Sequence, residues 1–267
     1  MVKAILLTGY GINCEEETAF AFRKAGAETE IVHVNDLIAE PKRLLDAQIL
    51  VFPGGFSYGD DTGSGNALAN KIRNNLWNEL VGFIEAEKLV LGICNGFQVI
   101  TNLGILPGIE GGKPARKAAL SHNDSARYEC RWVSLKSFSK KCVFTKGIDS
   151  IRMPVAHGEG KFTASKETLE ELNNAGQVVF RYAKPDGSAA NSEFPFNPNG
   201  SMEDIAGICD KTGRILGLMP HPERNIFFTQ QDDWTLQKEM LKRAGKKLPE
   251  ESEGMKIFRN AVEYFRR

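Results

Sequence analysis

The chain has 267 residues, 34 Lys plus Arg balanced by 34 Asp plus Glu, and 42% hydrophobic residues, enough to bury a sizeable core as one large α/β domain or two small ones. Balanced charge leaves no electrostatic footprint for nucleic acid, and the short basic run KRAGKK at 242–247 reads as a solvated helix face. Five scattered cysteines without zinc-ligand spacing, a beginning too short in apolar length for a secretory leader, and no run near a membrane span predict a reduced, soluble, cytoplasmic protein with no metal site.

Residues 4–8 form a short apolar run ending in Gly9, a buried-strand signal. Residues 14–25 predict a helix whose first turn holds Glu15, Glu16 and Glu17, which complement the helix dipole. Residues 28–34 alternate as a strand, and the apolar run 48–52 closes at Pro53-Gly54-Gly55. A helix is expected at 76–86 and a strand at 88–93. Strands alternating with helices imply a mostly parallel central sheet covered on both faces, with ligands bound beyond the carboxyl ends of the strands.

The middle of the chain has a different texture. Residues 128–135, 150–155 and 177–182 read as strands, 194–201 (FPFNPNGS) is dense in turn formers, and 204–210 with 214–219 predict a hairpin around Lys211-Thr212-Gly213. No repeat or low-complexity linker divides residues 1–267, so one domain is expected. A polar extension occupies about 229–254, and a closing helix at about 255–265 carries Ile257, Phe258, Ala261, Val262 and Phe265 on one stripe.

Residues 88–103 (KLVLGICNGFQVITNL) hold the most informative feature. An apolar strand breaks at Gly-Ile-Cys-Asn-Gly and resumes with helical periodicity. Cys94 therefore sits on a sharp strand-to-helix turn, with Gly92 and Gly96 supplying the small neighbours such an elbow needs. The new helix aims its free N–H groups at the sulfur, a setting that favours a nucleophile. A nucleophilic thiolate also needs a base, a group that orients the base, and an oxyanion hole.

Of the four histidines, two stand in His-x-Glu pairs, His157 with Glu159 and His221 with Glu223. In extended chain, residues i and i+2 share a face, so either glutamate can orient its own histidine. The second pair directly follows an apolar strand and is expected at the sheet rim, with Pro222 holding the segment extended. His33 and His122 read better as a strand and a loop residue. The N–H of Asn95 and the Pro53–Phe56 turn are candidates for the oxyanion hole.

Those residues carry a resemblance. Cys94 in GICNGFQ, His221 and Glu223 in MPHPER, and PGGFSYGD at 53–60 resemble the class I (triad) glutamine amidotransferases. PVAHGEGKF at 154–162, NDSARYECRWV at 123–133 and the long block at 194–224 are similar to the family of glutaminase components of phosphoribosylformylglycinamidine synthase. The resemblance implies a flavodoxin-like α/β fold with a nucleophile elbow. It implies that Cys94 attacks the glutamine amide, His221 moves the proton and Glu223 orients His221. Gly55 and Asn95 would then form the oxyanion hole, and Gly54, Phe56 and Gln98 would hold glutamine. His157 and Glu159 would shape the site or a subunit contact. It further implies no cofactor in this chain, with ATP and magnesium in a separate synthetase subunit that receives the ammonia, and a small accessory subunit beside them. A different Cys-His hydrolase of the same fold (peptidase, γ-glutamyl hydrolase or deglycase-like) and a non-catalytic regulatory subunit are the competing readings.

Overall fold

A computed structural model describes residues 1–109, 114 and 116–266. Strand β4 (Leu89–Ile93) is buried along its whole length. It lies inside a nine-stranded sheet of order β2-β1-β3-β4-β11-β10-β9-β6-β7. The flanking strands on one side are β1 (Lys3–Thr8), β2 (Glu28–His33) and β3 (Ile49–Phe52). On the other lie β6 (Glu129–Ser137), β7 (Ser150–His157), β9 (Val178–Ala183), β10 (Ile205–Cys209) and β11 (Ile215–Leu218). The strands β2, β1, β3, β4 and β11 pair parallel, and the remainder pair antiparallel. Following those directions across the sheet, only β10 and β6 of its strands run against the rest. The carboxyl ends of β1, β3, β4, β11, β9 and β7 therefore share one rim. A separate pair, β5 (Ala118–Ser121) with β8 (Lys161–Ala164), is antiparallel.

The expected α/β architecture is present, with differences that have local causes. The first helix, α1 (Glu15–Lys24), begins just after Cys14 and keeps its three glutamates in the first turn. Short helices α2 (Val34–Ala39) and α3 (Arg43–Asp46) follow, the former capped by the His33 ring accepting from Asn35 N–H at 3.2 Å. The helix expected at 76–86 starts ten residues earlier, as α4 (Asn66–Glu85), because left-handed Gly65 (φ 73°) sets its start. The elbow helix is α5 (Asn95–Leu103).

Helix α6 (Lys166–Asn174) was not read from the sequence, although Ser165 caps it by accepting from Thr168 N–H at 3.2 Å. The strand expected at 128–135 runs Glu129–Ser137, and that expected at 150–155 continues to His157. The hairpin between β10 and β11 is fixed by the Asp210 carboxylate, which accepts from Thr212 N–H at 3.0 Å and Ile215 N–H at 2.9 Å.

The polar stretch 229–254 is not a plain extension. It contains α7 (Trp234–Arg243), none of whose residues is buried. The excursion leaves and rejoins the body at one neck, where Phe228 N–H donates to Glu250 O (3.1 Å) and Ser252 N–H to Ile226 O (2.7 Å). The closing helix α8 (Met255–Tyr264) buries Ile257, Phe258, Ala261 and Val262 as the stripe predicts. Phe258 meets Phe22 of α1 edge-on, with ring centroids 5.0 Å apart.

Candidate active site

Cys94 stands between β4 and α5 with φ 50° and ψ −108°, a conformation that L-residues avoid. Its glycine neighbours are required by close approach. A Cβ on Gly96 would overlap the Phe52 carbonyl oxygen, and one on Gly92 would sit 2.8 Å from the Gly96 oxygen. The Cys94 N–H donates to Leu218 O at 2.8 Å, and its thiol lies 3.6 Å from Ala156 O at the end of β7. Cys94 is 4% exposed.

Since β11 pairs directly with β4, the residues after Leu218 emerge beside the elbow. His221 and Glu223 lie there, both 1% exposed, with His221 Nδ1 2.5 Å from Glu223 Oε1. Burial acts to lower the His221 pKa. The Glu223 carboxylate and the nearby Cys94 and Cys14 sulfurs outweigh it and hold the imidazole well above its ordinary value. His221 Nε2 is buried with no hydrogen-bond partner among the described residues.

The Gly54–Gly55 loop ends the neighbouring strand β3. The Gly54 carbonyl accepts from both Asn13 and Cys14 N–H at 3.2 Å. In a trans peptide the carbonyl and the following N–H point oppositely, so this double anchor turns the Gly55 N–H away from the β1 loop. Asn95, as first residue of α5, has no preceding helical turn to take its N–H.

The expected substrate-binding group Gln98 is 4% exposed. Its side chain donates to the Glu159 carbonyl and accepts from Asn95 Nδ2 at 2.9 Å. Asn95 Nδ2 also reaches Asp60 Oδ1 at 3.3 Å, and Ser57 N–H donates to Asn95 Oδ1 at 3.2 Å. Gln98 therefore ties the Glu159 loop to the elbow helix. Phe56 is 41% exposed and stands 6.1 Å, ring to ring, from Tyr128.

His157 and Glu159 arrive at the same rim on β7, but in a different role from His221 and Glu223. Burial first, then the charge of His221, push the His157 pKa down to about 3. The neutral ring fits its partners: Nδ1 lies 3.1 Å from Asn123 Oδ1, and Nε2 lies 3.4 Å from Asn199 Nδ2. His157 is 2% exposed. Glu159 points elsewhere, its carboxylate accepting from Ser64 N–H at 3.3 Å and lying 3.7 Å from His122.

Sequence reasoning missed Asp60, Asn123, Asn199 and the Ala156 carbonyl, whose only signal was their place in the quoted blocks. It also missed that Cys14, His221 and Glu223 offer donor atoms within 4.8 Å of one another, a spacing that metal ligands share. Arg224 donates to the Cys14 sulfur at 3.1 Å, and this fixed positive charge opposes a second cation there.

The family described as the CobB/CobQ-like glutamine amidotransferase domain matches residues 1–265, so fold and comparison together define the class, a glutamine amidotransferase. The phosphoribosylformylglycinamidine synthase subunit PurQ of Methanococcus maripaludis strain S2 is 58% identical over 266 residues, covering 98% of this chain and 97% of its own. PurQ of Dehalococcoides mccartyi is 48% identical over 267 residues, covering 99% and 98%. The solved structure of PurLQS from Thermotoga maritima contains a chain 29% identical, with TM-score 0.72 and 99% of both chains covered. The chain belongs to the family of phosphoribosylformylglycinamidine synthase subunit PurQ.

Proposed function

We infer that this chain is the glutaminase subunit of phosphoribosylformylglycinamidine synthase, working with a separate synthetase subunit in purine biosynthesis. Family membership supports that assignment. The observation that carries the mechanism is the strained Cys94 elbow, set beside a buried His221–Glu223 pair delivered by the adjacent strand.

Cys94 Sγ attacks the side-chain carbonyl carbon of glutamine. Negative charge develops on the carbonyl oxygen and is met by the N–H groups of Gly55 and Asn95. As the tetrahedral intermediate collapses, the C–N bond breaks and the His221 imidazolium gives its proton to the departing nitrogen. Ammonia and a γ-glutamyl thioester result. Neutral His221 then takes a proton from water, which attacks the thioester and releases glutamate, and the proton returns to sulfur. Glu223 orients the ring and stabilises its charged form. Gly54 and Phe56 line the glutamine side, and Gln98 holds the Glu159 loop against it.

Ammonia passes to the synthetase, which uses it to replace an amide oxygen of formylglycinamide ribonucleotide at the expense of ATP. ATP and magnesium are assigned to that partner, and a small accessory subunit is the third component to seek in co-purification. A cytoplasmic setting fits the free cysteines and the lack, among the described residues, of a helix long and apolar enough to cross a membrane.

The test is Cys94→Ser in the assembled synthase. Glutamine-dependent synthesis should vanish while ammonia-dependent synthesis stays within about twofold, because the covalent route that lowers the barrier is lost only on the glutaminase side. Equal loss of both activities in a fully assembled mutant would refute the assignment.

A further inference from the structure

One buried group next to the triad has no part in the steps above. Cys14, in the loop joining β1 to α1, is 0% exposed. Its backbone N–H donates to Gly54 O at 3.2 Å, and its carbonyl accepts from Thr18 N–H at 3.2 Å and Thr18 Oγ1 at 2.5 Å. Burial raises the pKa of its thiol, so the sulfur is uncharged. That thiol donates to Asn13 Oδ1 at 3.2 Å and accepts from Arg224 Nη2 at 3.1 Å. A single residue thus joins the loops that follow β1, β3 and β11.

The space between these loops is filled. A Cβ on Gly54 would stand 3.0 Å from His221 Cε1 and 3.1 Å from Cys14 Sγ, so imidazole and thiol both close on the Gly54 loop. Arg224 follows Glu223 directly in the chain. Glu223 Oε1 is held by His221, but Oε2 is buried with no partner among the described residues. A guanidinium one residue away is the natural claimant for such an oxygen, since a charge-assisted pair with carboxylate is stronger than a bond to neutral sulfur. In the structure Arg224 bonds to Cys14 instead.

We propose that Cys14 is a positioning residue for the glutaminase reaction: its sulfur holds Arg224 away from Glu223 and so reserves that carboxylate for His221. The role rests on the reading of Cys94, His221 and Glu223 given above. It assigns no chemistry to the Cys14 thiol itself. Without the sulfur, Arg224 swings to Glu223, the carboxylate is shared, and the imidazolium loses part of its counter-charge. A serine would keep an acceptor in nearly the same place. Removing both sulfur and guanidinium would return Glu223 to His221.

The experiment uses the assembled synthase carrying Cys14→Ala, Cys14→Ser, Arg224→Met or the double change Cys14→Ala/Arg224→Met. Inactivation by a chloroketone analogue of glutamine is followed against pH, and Cys94→Ser serves as control. Cys14→Ala should lower glutamine-dependent kcat about 10- to 100-fold, the scale of a misplaced catalytic group, with ammonia-dependent synthesis retained. The limb of the inactivation profile that follows His221 should move to lower pH in Cys14→Ala, partly through loss of the Cys14 sulfur beside the ring and partly through Arg224, and only the second part should be reversed in the double variant, Glu223, Cys94 and His157 being unchanged. Cys14→Ser should recover most of the loss, and the double variant should be faster than Cys14→Ala alone. A merely structural role predicts no such rescue. Wild-type kcat and profile in Cys14→Ala, or a loss that Arg224→Met fails to relieve, would overturn the proposal. Failure of the Cys94→Ser control to abolish inactivation would instead overturn the reading of the nucleophile.

Discussion

At the scale of single residues, the site depends on a few groups held in states they would not choose alone. The left-handed backbone of Cys94 costs on the order of 1–3 kcal/mol, and the surrounding β4–β11 hydrogen bonds and the two glycines hold it there. His157 is a second such group, a histidine kept neutral by burial with its pKa pushed down to about 3. The linkage has a definite sign. The unfolded chain binds a proton at His157 below about pH 6.5, and the folded chain refuses it until pH is near 3. Stability from this site is therefore complete above neutrality and lost as pH falls below about 6.5, at roughly 1.4 kcal/mol per pH unit. Denaturant titrations of the native protein and of His157→Gln should show their stability gap narrowing by about 1.4 kcal/mol between pH 7.5 and 5.5. A gap that stays constant over that range would mean that His157 is not held neutral by the fold.

At the scale of elements, the turn after β11 that carries His221 and Glu223 is seated against the start of α8. Gly254, just before that helix, lies so close to the turn that a Cβ there would overlap the Asn225 oxygen and approach the Pro222 oxygen to 2.5 Å. Its φ of −55° is ordinary, so close approach and not backbone freedom explains the glycine. Gly254→Ala should cost about 1–3 kcal/mol as an overpacked contact, seen as a lower Tm, and glutamine-dependent activity should fall more than ammonia-dependent activity. Unchanged Tm and activity ratio would show that the turn does not rest on this glycine. Elements whose signal is local were legible from sequence: the Cys94 elbow, the apolar runs of β1, β3 and β4, and the stripe of α8. The arrival of His221 and Glu223 at the rim beside Cys94 was legible too, because strand, Pro222 and His-x-Glu spacing all lie within a few residues of one another. What escaped was built by tertiary partners. The polar partners of the His157 ring, Asn123 and Asn199, come from distant loops. The start of α4 escaped although Leu68, Ala69 and Ile72 are buried at helical spacing ahead of Leu76, because Asn66, Asn70, Asn74 and Asn75 dilute the apolar signal there. α7 escaped because its few apolar residues, Trp234, Leu236, Met240 and Leu241, stand in a polar stretch and none of them is buried.

At the scale of the whole molecule, the sheet joins a parallel half, where the loops after β3, β4 and β11 carry Gly54–Gly55, Cys94 and His221–Glu223, to a largely antiparallel half that brings the Ala156 carbonyl and His157 to the same rim. Nearly all of the chemistry therefore sits on one rim, while α7 hangs outside the core on a closed neck. The strand order also governs the order in which a newly made chain can mature. β1 to β4 emerge first and can pair with one another, yet the second edge of β4 must wait for β11, synthesised more than a hundred residues later. Such non-local closure is slow, and until it happens β4 is an exposed apolar edge. During synthesis the Cys94 thiol is thus already translated but has neither His221 nor its Leu218 anchor, and no ammonia can be made before a nearly complete chain exists to deliver it. Stalled ribosome–nascent chains ending at residue 200 should leave Cys94 unlabelled by a glutamine chloroketone, and chains extended past the whole domain should be labelled. Equal labelling of the two would show that the elbow matures without its late-arriving strand.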